Sequence, residues 1–156
     1  QRKKSEELIR RYRFALDVPA HWLVEMRHDT ARFVYIYSHY PDRSVFVFWS
    51  DSFVPLQLGS ILALRNRLTQ AFYDGDVVNE DVPVVAETIS FLSSYCLRSR
   101  GVWRNQRMVI GGPFVNYCFV HQGRFFMLDG MLFSPGEEKL DNLFQLEAVI
   151  RTFTPR

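Results

Sequence analysis

Hydrophobic positions along this chain follow two alternating periods, one close to a helical turn and one of two residues. Ser5 to Arg13 sets Leu8, Ile9 and Tyr12 on one side of a strongly charged stretch, which predicts a short helix. Val18-Pro19 is expected to stop it, because the residue before proline is pushed out of the helical region. Trp22 to Met26 then reads as a strand. Arg32 to Ser38 and Ser44 to Ser50 flank Tyr40-Pro41-Asp42-Arg43, whose Pro-Asp pair is turn chemistry, so the segment predicts a β-hairpin. Phe33, Tyr35 and Tyr37 fall on one face of its first strand and Val34 and Ile36 on the other. A strand apolar on both faces belongs in a sheet covered on both sides.

Gln57 to Phe72 returns to the helical period, with Leu58, Ile61, Leu62, Leu68 and Phe72 on one stripe and Asn66, Arg67 and Gln70 opposite. Asp74-Gly75-Asp76 ends it. Pro83 to Phe91 and Ser94 to Trp103 read as strands. In the second, Tyr95, Leu97 and Trp103 alternate with Arg98, Arg100 and Arg104. Gly111-Gly112-Pro113 is expected to break the chain before a strand from Phe114 to His121, and Gln122-Gly123 makes a tight turn into a strand from Arg124 to Phe133. Ser134-Pro135-Gly136-Glu137 has the form of a capping box opening a helix that runs to about Thr152.

The predicted order is helix, strand, hairpin, helix, four strands, helix. Short connections force antiparallel pairing, and helices bracketing a run of strands give an α+β layer fold. The expectation is one domain over residues 1–156, an antiparallel sheet covered by helices on both faces. Composition agrees with a packed core: 156 residues, 47% hydrophobic, with 14 Phe, 7 Tyr and 3 Trp. The 19 basic and 17 acidic side chains nearly cancel at a formal charge of +2, which does not suit a nucleic-acid binder. No run of 18 apolar residues is present. The first residues, Gln1-Arg2-Lys3-Lys4, do not begin a signal peptide, and the start on Gln1 is read as a cut in a longer chain.

Candidate chemistry is sparse. Glu147 falls by helical angle within the apolar stripe of Leu140, Leu143, Phe144, Leu146, Ile150 and Phe153, where a carboxylate is partly desolvated. It reads as an acid/base or ligand-anchoring group, or as half of a structural ion pair with Arg151 at i+4 or Arg100 across the layer. Arg98, Arg100, Arg104 and Arg107 form a basic stripe, either an anion site or a solvated strand face. Gly111-Gly112-Pro113 lacks the spacing of a phosphate loop and suits a bulge or a close approach instead. His21, His28, His39 and His121 are scattered without zinc-ligand spacing. Asp74, Asp76, Glu80 and Asp81 read as a solvated connection. Cys96 and Cys118 read as two buried free thiols, with a disulfide open should the strands bring them into register. No G-x-S-x-G or local Cys–His arrangement is present, and no cofactor is implied.

Arg100-Gly101-Val102-Trp103, Gly111-Gly112-Pro113-Phe114-Val115, Asp129-Gly130-Met131-Leu132-Phe133-Ser134-Pro135 and Gln145-Leu146-Glu147-Ala148 form an ordered series. The series resembles the C-terminal half of the domain-of-unknown-function 4837 family, whose pattern runs RGLW, GGPF, DG-x-VYAP and RQLEA. Asp17-Val18-Pro19 and the strand from Phe33 to Tyr37 resemble its middle region. Val102 departs from the family's leucine and Phe144 stands in place of its arginine, which removes a charge near Glu147. The resemblance implies an envelope lipoprotein of Bacteroides-type bacteria with no assigned function. Val18-Pro19 and Trp22 also resemble the opening of the PsbP/Mog1-like αβα sandwich, a likeness of fold that carries no function.

The leading expectation is a non-catalytic envelope module that binds a protein or small molecule at the sheet rim, through Arg98, Arg100, Trp103, Phe114 and Glu147. Membrane contact would come through a lipid anchor upstream of Gln1. The rival is a hydrolase of envelope glycan or peptide using Glu147 or Asp129 with Arg100. A third reading is a structural half-domain that packs on an N-terminal half and exposes an apolar patch here.

Overall fold

The structure is a computed structural model that describes residues 2–25, 29–133 and 139–156. His28, Met26 and the capping box at Ser134 to Glu137 lie outside the described residues. The chain runs α1 (Arg2–Tyr12), β1 (Phe14–Ala15), β2 (Leu23–Glu25), β3 (Phe33–Ser38), β4 (Arg43–Ser50), α2 (Leu58–Phe72), β5 (Asp76–Val78), β6 (Val85–Phe91), β7 (Ser94–Asn105), β8 (Gly111–His121), β9 (Arg124–Leu132), α3 (Lys139–Arg151) and β10 (Thr154–Pro155).

Eight strands form one antiparallel sheet in the order β2-β3-β4-β9-β8-β7-β5, with β6 also on β7. The hairpin β3–β4 and the meander β6 to β9 are each local. They join through β4 and β9, where Val45 faces Gly130 and Phe46 faces Asp129. The outer edge of β7 is shared: β6 pairs Ser94 to Arg100, and β5 pairs Trp103 to Asn105.

Side-chain alternation sorts the core into two faces. Val34, Ile36, Val45, Val47, Tyr117, Phe119, Phe126 and Leu128 pack with Leu8 of α1 and Leu146, Val149 and Ile150 of α3. Phe33, Phe46, Leu97, Cys118, Phe125 and Met127 pack with Ile61, Leu64 and Leu68 of α2. The expected split of Val34 and Ile36 from Phe33 and Tyr35 is the one found. Helical cover is nonetheless partial, for three helices lie against eight strands and Leu23, Val85 and Tyr95 stay exposed. Among the described residues no helix is long and apolar enough to cross a membrane.

Several expectations change. The first helix ends at Tyr12, because Arg13 adopts φ 66° and its amide bonds back to Ile9; Val18-Pro19 lies beyond. Three short strands go unread in the sequence. β1 and β10 clip the chain ends together, Phe14 facing Pro155, and β5 closes the far edge. Gly111-Gly112-Pro113 does not break the chain but opens β8. A Cβ on Gly112 would lie 1.7 Å from the Leu132 carbonyl oxygen, so only glycine lets β8 approach the end of β9. At the β8–β9 turn Gln122 and Gly123 have φ 48° and 78°, the left-handed pair of a two-residue hairpin loop. Cys96 and Cys118 are free and buried; Cys96 faces Phe119 and Cys118 faces Leu97, which sets the thiols on opposite sides of the sheet.

Candidate functional site

The alternation of β7 aims Arg98 at the face that α3 crosses, and Glu147 of α3 meets it there. Arg98 donates from Nε to Glu147 Oε1 at 2.6 Å, and the Tyr117 hydroxyl donates to the same oxygen at 2.6 Å. Arg98 Nη1 also holds Glu87 at 2.8 Å, and Arg151 stands 3.7 Å from Glu147. Burial raises the Glu147 pKa, but the hydrogen bonds from Arg98 and Tyr117 outweigh it and the net shift is downward. The same cluster pushes the Tyr117 phenol up to about 12, through burial first and the neighbouring carboxylate second. Glu147 is therefore a satisfied, ionised partner in a structural cluster, unsuited to carrying a proton at neutral pH. The expected Arg151 contact at i+4 is present. The cross-layer partner is Arg98, not Arg100, because α3 passes over β7 two residues earlier.

A second charged group sits under α2 on the opposite face. Arg65 donates from Nε and Nη2 to Asp129 at 2.7 and 3.2 Å, with both side chains fully buried. Asn116 Nδ2 donates to Asp129 at 2.7 Å. The guanidinium lies 3.9 Å over the Phe114 ring. Burial pushes the Asp129 carboxyl upward while Arg65 and Asn116 pull it down. A guanidinium cannot give up its proton, so three donors hold Asp129 as a carboxylate. Phe114 is fully buried and serves as the floor of this pair. As a surface contact it is corrected: the rim does not include it. Arg65 was missed in the sequence, although Ile61, Arg65, Leu68 and Phe72 share one helical stripe.

Of the basic stripe, Arg98 is taken by Glu147 and Glu87, while Arg100, Arg104 and Arg107 are exposed. Arg104 borders a cleft and Arg107 belongs to the β7–β8 loop, so the four arginines do not converge. Asp76 departs from the expected solvated loop: it is buried in β5 and accepts from Asn105 Nδ2 at 2.9 Å. His39 pairs with Asp42 at 2.7 Å in the β3–β4 turn. Among the described residues no group of three or more His, Cys, Asp or Glu is placed to hold a metal.

Trp103 is where open space gathers. Its Nε1 donates to the Leu132 carbonyl at 3.2 Å, which fixes the indole across the β8 approach that Gly112 permits. On one side lies a cleft of about 510 Å³, walled by Tyr35, Tyr37, Tyr73 and Met131 and rimmed by His39, Asp42, Arg43 and Asp76. On the other lies a more apolar hollow of about 720 Å³ under the β7–β8 loop, walled by Val102, Met108, Val109, Pro113 and Leu143. Asn105 Oδ1 accepts from the amides of Arg107 and Met108, which holds that loop with Val109 fully exposed.

A family model matches residues 1–152 of this chain. The chain belongs to the family Domain of unknown function (DUF4837). Of the stretches that carry the resemblance, Arg100 to Trp103 on β7, Gly111 to Val115 on β8 and Asp129 to Leu132 on β9 adjoin at Trp103, which faces Gly112 and packs with Phe114 and Met131, while Gln145 to Ala148 on α3 lies over Arg98. No curated protein sequence matches the chain. Two solved structures share the fold of this DUF4837 chain. The solution structure of cyanobacterial PsbP (CyanoP) from Synechocystis sp. PCC 6803 superposes with a TM-score of 0.60 at 12% identity, over 92% of this chain and 87% of that one. A protein of Bacteroides thetaiotaomicron VPI-5482, solved in the crystal at 1.50 Å, gives 0.53 at 12% identity over 92% of this chain. The DUF4837 chain covers 45% of that protein. The PsbP-like architecture expected from Val18-Pro19 and Trp22 is thus present as fold.

Proposed function

We propose that this DUF4837 chain is a non-catalytic binding module of the cell envelope, which seats a small molecule or an extended partner segment at the Trp103 end of its sheet. The observation that carries this reading is the position of Trp103, a buried indole fixed by Leu132 that forms a wall of both clefts. Pockets that combine aromatic walls with a few polar groups are the usual form of ligand sites. The hydrolase reading loses support, since Glu147 and Asp129 are each closed by structural donors and Arg100 reaches neither in an ion pair among the described residues. The sheet with α1 and α3 on one face and α2 on the other is read as a three-layer sandwich, a single domain that serves one half of a longer protein. The envelope setting, facing the periplasm or as an outer-membrane lipoprotein, rests on the family resemblance.

The test is saturation-transfer NMR against three defined probe classes: neutral mono- and disaccharides, acyl-glycines, and short apolar peptides. One class is expected to bind at a single site and to lose at least tenfold in affinity in Tyr37→Ala. Binding by none of the three, or conversion of any probe to product, overturns the reading.

One observation favours a second use of the other side. Met108 is 58% exposed and Val109 fully so, an apolar loop tip that suits docking of another part of the same protein. Substituting Val109→Asp in the full-length protein would then loosen the two parts, read as separate unfolding transitions.

A further inference from the structure

The cleft on the α2 side of Trp103 carries its own chemical signature, and we propose that it is a binding subsite for a neutral carbohydrate, one or two pyranose rings. The inference rests on the reading of the Trp103 end as a binding site and names its ligand class. Two kinds of groups interleave there. Tyr35 and Tyr37 project from alternate positions of β3, their centroids 5.5 Å apart and their planes tilted by 37°, and Tyr73 meets Tyr35 edge-on at 5.4 Å. These partly buried rings extend the α2-side core into a curved aromatic wall at the cleft. The C–H face of a pyranose is weakly positive and packs on the negative faces of such rings.

Between the rings stand acceptors and donors in close alternation. Asp76 is buried with one carboxylate oxygen held by Asn105. Burial pushes its pKa upward against the pull of the Asn105 hydrogen bond. Asp42 and His39 lie at the mouth as a hydrogen-bonded pair, and Ser44 of β4 lines the cleft opposite Tyr37; the Arg43 guanidinium turns to the other face, 5.3 Å over the Trp22 ring. A sugar hydroxyl is donor and acceptor at once, so a ring of vicinal hydroxyls satisfies carboxylates, an imidazole and a serine hydroxyl together. Other ligand classes fit less well. An acyl chain would bury these polar groups unpaired. A phosphate or carboxylate would face Asp42 and Asp76 together. A quaternary ammonium, which aromatic walls also suit, has no hydrogen-bonding group to offer His39, Ser44 and the two carboxylates. The volume of about 510 Å³ lies within the range of small-molecule sites and leaves room for two sugar rings.

The experiment is a titration of the protein with N,N′-diacetylchitobiose, maltose and lactose, with choline and inorganic phosphate as charged probes, read by tyrosine and tryptophan fluorescence and by calorimetry. At least one disaccharide is expected to bind 1:1. Tyr37→Ala and, separately, Asp42→Asn are expected to weaken it at least tenfold; both positions lie at or near the surface, and thermal denaturation checks that each variant is folded. The charged probes are expected not to compete. Binding of choline or phosphate in place of the sugars overturns the carbohydrate assignment and leaves the binding-module reading standing. Sugar binding unchanged in both variants also overturns it, since the sugar then sits elsewhere. Binding of no probe here, together with none among the acyl-glycines and peptides above, overturns both.

Discussion

Arg65 and Asp129 meet as a bidentate pair between α2 and the centre of the sheet, 2.7 and 3.2 Å apart at their two contacts and both without exposed surface. The pair is the polar rivet of an otherwise apolar interface, and Asn116 and Phe114 complete its surroundings.

Because the pair is closed, removing one member leaves a buried charge alone. Asp129→Asn and Arg65→Met are each expected to lower stability by about 3–5 kcal/mol. The double substitution Arg65→Met with Asp129→Leu is expected to recover most of that loss, since an apolar replacement of a buried ion pair is often neutral. Urea denaturation of the three variants measures the difference. A double variant as unstable as the sum of the singles would contradict the account.

The Glu147 cluster predicts a pH dependence of defined sign. Its folded pKa lies below the unfolded carboxylate value of about 4.3, so its contribution is present above that pH and fades as pH falls through the folded value. Glu147→Gln is expected to cost about 2 kcal/mol at pH 7. The gap between wild type and variant should stay flat from pH 8 to about pH 5 and shrink below about pH 4. Thermal unfolding in a buffer series reads it. A gap that grows on acidification would mean that the carboxyl is held neutral.

One glycine tests the close approach at Trp103, and a second, in α2, serves as its contrast. Gly112→Ala would set a Cβ against the Leu132 carbonyl, the acceptor of the Trp103 indole, and is expected to destabilise by about 3 kcal/mol or more while disturbing Trp103 fluorescence. Gly59 sits in α2 with open space around it, and Gly59→Ala is expected to stabilise by about 0.5–1 kcal/mol.

Burial pushes the Cys96 thiol up to about 12 and the Cys118 thiol well above its ordinary value. Neither is expected to react with Ellman's reagent at about pH 8 in the native protein, and both are expected to react once the protein unfolds. Fewer than two thiols titrated in denaturant without reductant would indicate a disulfide and contradict the register.

Where local pattern decided the structure, the sequence showed it. The hairpin of β3 and β4 was legible because both faces are apolar and Pro41-Asp42 marks the turn, and the β7 alternation put Arg98 and Trp103 on opposite faces. Features that depend on distant partners were hidden. The two-residue strands at Phe14 and Thr154 exist only because the chain ends meet, and Asp76 looks like a loop acid until Asn105 arrives from β7. Glu147 was legible as a buried carboxylate, but its partner required the crossing point of α3. Phe114 looked like a rim aromatic beside the arginines, and the structure turns it under Arg65 instead. Arg65 lay in plain view within an apolar stripe, which is the signal that finds a buried cation.

The central claim is that ligand chemistry happens at Trp103 and not at Glu147. The most direct measurement is a proton–nitrogen correlation spectrum of the labelled protein during a disaccharide titration. Its three indole signals are those of Trp22, Trp49 and Trp103, assigned by substitution. The account predicts a saturable shift of the Trp103 indole with the amides of Tyr35, Tyr37 and Arg43, while Trp22, Trp49 and the amides around Arg98 and Glu147 stay in place. Shifts centred on Arg98 and Glu147 with Trp103 unmoved would contradict it.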